Sequence, residues 1–192
     1  MRSRVILKNK QKQQDNKLFS NSIENRKIAK TRRQRGYQWE DTLVKRFNQL
    51  DSWRAFRLGS PSVALPDILC VNNQESKIFT TEAKSGTGTS LTVPYDQIVR
   101  CMSWTENFTV YKTRKVILSF KFLSKKRVGK GMYERRELRE YYKVWNHKFN
   151  PIDVVCKYDG TVYGLKNGKR QKLVLKDYNM PFKSKHQKFL KP

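Results

Sequence analysis

Three side chains in this sequence could do chemistry together: Asp67, Glu82 and Lys84. Asp67 opens the run Leu65-Pro66-Asp67-Ile68-Leu69-Cys70-Val71. Glu82 and Lys84 end the run Ile78-Phe79-Thr80-Thr81-Glu82-Ala83-Lys84. Both runs read as short strands. Side chains alternate between faces along a strand, so Glu82 and Lys84 share one face. If the two strands pair as a hairpin around Asn72-Asn73, Asp67 can face Glu82 across the ladder. Two carboxylates of this kind are hard oxygen ligands suited to Mg²⁺, for which Mn²⁺ could substitute. The Ala83 backbone carbonyl, between the two functional side chains, could complete the shell. A divalent ion so held would neutralise charge and lower the pKa of a water for phosphodiester hydrolysis. Lys84 could hold the attacking water or stabilise the extra charge on phosphate. Glu40, from a helix, would bring a third carboxylate.

The pattern acid-x-Lys is cheap in a chain with 42 Lys/Arg and 16 Asp/Glu; Asp15-Asn16-Lys17 and Glu75-Ser76-Lys77 match it too. Placement separates Glu82-x-Lys84 from these. It ends an apolar strand, follows a Pro-Asp that opens the neighbouring strand, and precedes the flexible loop Ser85-Gly86-Thr87-Gly88-Thr89. Buried carboxylates must be paired or bind metal, so charges there need a reason.

The formal net charge is +26 over 192 residues, enough for one domain with tails. Such an excess calls for a polyanionic partner, foremost nucleic acid; a ribosome-associated or membrane-surface protein would share it. The cysteines Cys70, Cys101 and Cys156 are far apart, with no CxxC and only two histidines, so a zinc site is not expected. They read as reduced core thiols. No apolar run approaches a membrane span and the N-terminus lacks a signal-peptide core, which reads as a cytoplasmic, nucleoid-associated protein.

The elements that must position the three side chains follow in order. Residues 1–35 hold twelve Lys/Arg against two acids without apolar periodicity, the composition of a disordered basic arm that tracks phosphates. Order is expected from Gly36, with a helix from Tyr37 to Leu50 whose apolar face is Trp39, Leu43, Val44, Phe47 and Leu50. Glu40 would then sit in a first turn, where it could merely compensate the helix dipole. Residues 53–58 read as a strand, 59–62 as a loop, and Leu91-Thr92-Val93 as a short strand segment. Pro94 opens a helix to about Asn107, with Ile98, Cys101, Met102 and Thr105 inward. Val116–Phe120 reads as a buried strand, residues 124–131 as a basic glycine-containing loop, and 138–145 as a strand despite partly helical spacing. Asp159-Gly160 and Asn167-Gly168 predict hairpin turns in a three-stranded meander of 153–157, 161–165 and 171–175. It is too small for its own core and should pack on the main domain. Residues 183–192 form a second basic tail. The predicted domains are thus 1–35, 36–150, 151–182 and 183–192, and the class is α/β, a mixed central sheet flanked by helices. Tyr133, Tyr141, Tyr142, Trp145, Phe149, Tyr158 and Tyr163 could stack on unpaired bases, although such residues are more often core.

Pro66-Asp67, fourteen intervening residues, then Glu82-Ala83-Lys84 resembles the PD-(D/E)xK nuclease pattern. Arg35-Gly36-Tyr37-Gln38-Trp39-Glu40 is similar to the opening of the archaeal-type Holliday junction resolvases, where a Gly-x-x-x-Glu helix start precedes the strand, loop and PD motif. The resemblance covers roughly 32–123. It implies a restriction-endonuclease-like fold, Mg²⁺-dependent cleavage of branched double-stranded DNA in recombination and repair, and a homodimer. It matches Asp67, Glu82 and Lys84 to the catalytic core, Glu40 to the helix carboxylate, and Ser60 to a catalytic-loop serine, a role for which Ser62 competes. Gln97 is similar to a polar position on the following helix, or is an ordinary surface residue. Val116, Leu118 and Phe120 are candidates for the dimer contact. The DNA-binding candidates are Arg32, Arg33, Arg35, Arg57, Ser62, Gln97, Lys125, Lys126 and Arg127. The basic arm and the region after about 124 exceed a compact resolvase domain.

Three readings compete: a structure-selective endonuclease cutting four-way junctions, a restriction or repair nuclease of the same fold, and a non-catalytic basic nucleic-acid binder. The last leaves Asp67, Glu82 and Lys84 without a purpose.

Overall fold

The computed structural model describes residues 2–58, 64–146 and 151–184, with side chains from residue 25 onward. The chain divides into two units, Met1–Arg35 and Gly36–Pro192. Its first element, α1 (Arg2–Asn48), contributes to both. The first unit is helical where a disordered arm is expected from composition. Residues 2–35 contain neither Gly nor Pro. They are rich in Lys, Arg and Gln, which lose little rotamer freedom in a helix. Arg32 and Arg33 are exposed on it and Arg35 is half-buried.

In the second unit, α1 lays Trp39, Leu43 and Phe47 onto a sheet, each essentially inaccessible to solvent. Full burial of such side chains stabilises by about 1.5–3 kcal/mol each. The helix end is pinned by Asn48, whose amide donates to the Ala55 carbonyl at 3.0 Å and accepts the Ala55 N–H at 2.7 Å. Gly36 does not open the helix; α1 runs through it. Glu40 is therefore not in a first turn, and dipole compensation does not explain it.

The strands are β1 (Arg54–Arg57), β2 (Ile68–Asn72), β3 (Lys77–Gly86), β4 (Ser90–Val93), β5 (Thr113–Phe122), β6 (Lys125–Arg127), β7 (Tyr133–Arg135), β8 (Arg139–Val144), β9 (Asp153–Lys157), β10 (Val162–Lys166) and β11 (Lys169–Lys172). The second helix, α2 (Tyr95–Asn107), follows β4. The central sheet has the order β1-β2-β3-β5-β8. It is mixed: β3 and β5 are parallel, and the other neighbours antiparallel. The expected mixed sheet flanked by helices is present. The helix required between two parallel strands is α2. Its N-cap is Pro94, and Ile98, Cys101 and Thr105 are buried as the spacing predicts.

A second sheet has the order β11-β10-β9-β4. The expected meander thus gains β4 as a fourth strand. Its last strand begins earlier than predicted, because Asn167 and Gly168, both at positive φ, close a two-residue turn directly onto Lys169. The basic segment 124–131 is not a plain loop. β6 and β7 pair antiparallel, Lys126 opposite Glu134.

One apolar core lies where Val116, Leu118, Phe120 and Phe122 of β5 meet Ile98 and Cys101 of α2 and Val154 and Cys156 of β9. Val116, Leu118 and Phe120 are thus covered, being at most 1% exposed, and do not form a surface for a second copy. The second sheet occupies the position assigned to the partner. The other core joins Trp39, Leu43 and Phe47 to Trp53, Ile68, Phe79 and Ile117. All three cysteines are buried and unbridged. Among the described residues, no helix is long and apolar enough to cross a membrane.

Candidate active site

The site forms where β2 begins and β3 ends its pairing with it. The ladder between them closes at Ile68 opposite Thr81. One step further out, Asp67 takes the place of the missing strand: its Oδ2 accepts the Ala83 N–H at 2.8 Å. Its own carbonyl accepts the Leu58 N–H at 3.0 Å, tying it to the end of β1. Asp67 is thus fixed through both backbone and side chain. The N–H and C=O of one residue in a ladder face the same neighbour, so the Ala83 carbonyl also lies on the Asp67 side of β3.

On β3, Thr80, Glu82 and Lys84 point to the face covered by α2, as the alternation predicts. Thr80 Oγ1 donates to the Cys101 carbonyl at 2.9 Å. Glu82 is 1% exposed. Its Oε1 accepts from Lys84 Nζ at 2.6 Å, and its Oε2 lies 3.8 Å from the Arg100 guanidinium of α2. Burial pushes the Glu82 carboxyl up, Lys84 opposes this, and Asp67 adds to it. Glu82 Oε2 is buried and accepts no hydrogen bond.

Glu40 comes from α1 with 7% exposure. Burial raises its pKa to about 7, with Asp67 and Glu82 repelling its charge and Arg57 partly offsetting them. Its Oε2 is also buried without a hydrogen bond. The positive charge of Arg57 thus only partly compensates this carboxyl.

A divalent cation would supply the rest, and the donors fit one. Asp67, Glu82 and the Ala83 carbonyl are oxygen ligands, and two acids retain buried oxygens that no donor satisfies. Among the described residues, no three His, Cys, Asp or Glu side chains form a ready cage for a metal ion. Mg²⁺ seldom uses such cages; it binds through one or two carboxylates, waters and substrate phosphate.

Gln97 is half-buried one turn before Arg100 on α2, and its Oε1 is buried without a hydrogen bond. Arg57 lies 3.5 Å from Asp41 and stacks over the Tyr37 ring, 4.8 Å from its centroid. Lys125, Lys126 and Arg127 are β6. Ser60 and Ser62 lie outside the described residues, as does Phe149. Arg100 was not singled out in the sequence. The available signal was its i+3 spacing from Gln97 at the border of the buried face of α2.

No family model matches the chain, and no curated protein does. Among solved structures, Hjc, a Holliday junction resolvase from the archaeal hyperthermophile Archaeoglobus fulgidus, is similar to it with a TM-score of 0.43 and 12% identity. The similarity covers 65% of this chain and 84% of that one. At that level the likeness is slight, and the chemistry of the site rests on its own residues.

Proposed function

We propose that this chain is a metal-dependent endonuclease that hydrolyses phosphodiesters in branched DNA, with four-way junctions preferred and two copies acting together. The observation that carries the reading is three mutually repelling acids, Asp67, Glu82 and Glu40, of which Glu82 and Glu40 each keep a buried oxygen without a hydrogen bond, with Lys84 Nζ 2.6 Å from Glu82. A purely structural ion pair would satisfy both oxygens of its carboxylate and would not gather further acids around it.

Mg²⁺, when bound, supplies the charge that a scissile phosphate and an incoming hydroxide both need. Asp67, Glu82 and the Ala83 carbonyl would hold it. Glu40 faces the same region from α1 and would orient a water. Lys84, 26% exposed, reaches from the protein toward solvent and would position the nucleophile and meet the negative charge that grows on the phosphate. The surrounding Lys and Arg would hold the phosphate backbone without reading its sequence.

The test is incubation of the purified chain with Mg²⁺ and labelled four-way junction, flap and linear duplex. Cutting near the branch is expected. DNA binding with no cutting of any substrate, in Mg²⁺ or Mn²⁺, would overturn the reading. Cuts at a fixed sequence in plain duplex would move it to a restriction-type nuclease.

A further inference from the structure

The paired strands β6 and β7 remain unexplained by the site. Between residues 124 and 136 the chain has six cations, Lys125, Lys126, Arg127, Lys130, Arg135 and Arg136, against one acid, Glu134. Yet around the exposed Lys130 at the turn the hairpin also exposes apolar side chains: Val128 is 44% accessible, Met132 65% and Tyr133 47%. Among the described residues, these are three of the eight large apolar side chains most open to solvent. A soluble protein gains nothing from clustering such groups on a projecting hairpin unless something covers them.

The base of the hairpin is fastened to the strand that carries Glu82 and Lys84. Leu123 N–H donates to the Gly86 carbonyl at 2.9 Å and Arg127 N–H to the Thr87 carbonyl at 3.0 Å. Arg136 Nε donates to the Leu123 carbonyl at 2.8 Å, and its guanidinium stacks over Tyr158, 4.5 Å from the ring centroid. The tip is closed by Val128 N–H to the Met132 carbonyl at 3.1 Å, with Gly131 at φ +73°. From Lys84 to Thr87, across to Arg127 and out to Lys130 is at most roughly 25–30 Å of chain. That is about eight base pairs of duplex at 3.4 Å each.

We propose that this hairpin is a wedge. Its cations straddle phosphates, and Val128 and Met132, opposite each other on the two arms of the hairpin, enter between base pairs within about eight steps of the cut phosphate, with Tyr133 on the other face of the hairpin. Basic flanks with apolar side chains near the tip are what opening a base step requires: charge to hold the backbone and surface to replace lost stacking. The step opens most easily where stacking is already broken, so the hairpin biases the enzyme toward branched or kinked DNA. The wedge rests on the nuclease reading only for where the DNA lies.

The experiment uses the full chain bearing Asp67→Asn, so that DNA stays intact. The DNA is a four-way junction with 2-aminopurine placed singly at positions flanking the branch. Fluorescence is read at saturating protein. A rise at one or two positions is expected, together with its loss in Val128→Ser/Met132→Ser. These exposed changes leave the fold intact, and they lower the preference for junction over linear duplex about tenfold. Lys125→Ala/Arg127→Ala should weaken affinity and keep the rise at saturation. Persistence of the rise in the tip variant, or its absence at every position in a saturated complex, overturns the wedge. Cutting by the unsubstituted chain is scored separately. A tip-dependent rise without cutting would sink the nuclease reading alone, and cutting without a rise would sink the wedge alone.

Discussion

Asp67 completes the sheet with its side chain: one residue beyond the last pair of the β2–β3 ladder, its Oδ2 accepts at 2.8 Å the N–H of Ala83, two residues beyond it on β3. The acid proposed to bind metal is therefore also a structural plug, and the two roles separate by substitution. Asn keeps a carbonyl oxygen for the Ala83 N–H and loses the charge. Asp67→Asn, relieved of repulsion with Glu40 and Glu82, should melt no lower than the parent and bind DNA as tightly, yet cut at least about a hundredfold more slowly. Asp67→Ala should lose cutting and also about 1–3 kcal/mol of stability, because a part-buried N–H is left unpaired. Cleavage rates, gel shifts and thermal melts distinguish the two. Equal melting of both variants would remove the structural role.

Lys84 is the near partner of a carboxylate that is 1% exposed. Removing one member of a buried pair leaves the other uncompensated, although here Arg100 at 3.8 Å remains. Lys84→Met should therefore destabilise by about 1–3 kcal/mol in chemical denaturation and abolish cutting. The double substitution Lys84→Met/Glu82→Leu should recover most of that stability and none of the activity. Recovery of neither would mean that Glu82 and Lys84 do not stabilise as a pair.

Much of this was legible beforehand. The alternation of β3 placed Glu82 and Lys84 on one face, and the two-residue offset survives because a strand's side-chain period is fixed by its pleat. The α2 apolar face was legible for the same reason, through its 3.6-residue period. What escaped was whatever depends on distant segments meeting. Val116, Leu118 and Phe120 announce a buried strand, but nothing local says whether a second copy or β9 covers it. Arg46 and Glu140, 94 residues apart, form a bidentate pair with bonds of 2.7 and 3.1 Å. Charge patterning along the chain carries no trace of such a partnership. The first-turn reading of Glu40 failed because Gly36 suggested a helix boundary, whereas α1 continues through it.

Glu40 should act as a stability penalty when no metal is bound. Its pKa is raised to about 7 by burial, with Asp67 and Glu82 adding to the shift. In the unfolded chain it ionises near 4.5, so the folded state loses stability relative to the unfolded as pH rises between those values. Glu40→Gln, measured in chelator, should therefore be more stable than the parent by about 1–3 kcal/mol at pH 8 and nearly equal to it at pH 4. A uniform difference across that range would assign the effect to packing and not to charge.

Glu140 is the opposite case, a buried acid fully provided for. Burial would raise its pKa, but the Arg46 fork at 2.7 and 3.1 Å, Ser184 Oγ at 2.8 Å and Tyr142 Oη at 3.0 Å together hold it below the usual carboxylate value. The folded pKa is thus below the unfolded one. The stabilisation is complete above about pH 4.5 and disappears as pH falls through the folded value. The pair joins α1 to β8 and, through Ser184, to the C-terminal segment, so losing it should loosen three parts of the unit. Glu140→Gln should lower the melting temperature at pH 7, and the gap from the parent should narrow below pH 4. Arg46→Met should be worse than Glu140→Gln at pH 7, by about 3–5 kcal/mol relative to the parent, because it strands a carboxylate that is 1% exposed. Equal losses for the two substitutions at pH 7 would show that the carboxylate reaches water once Arg46 is gone.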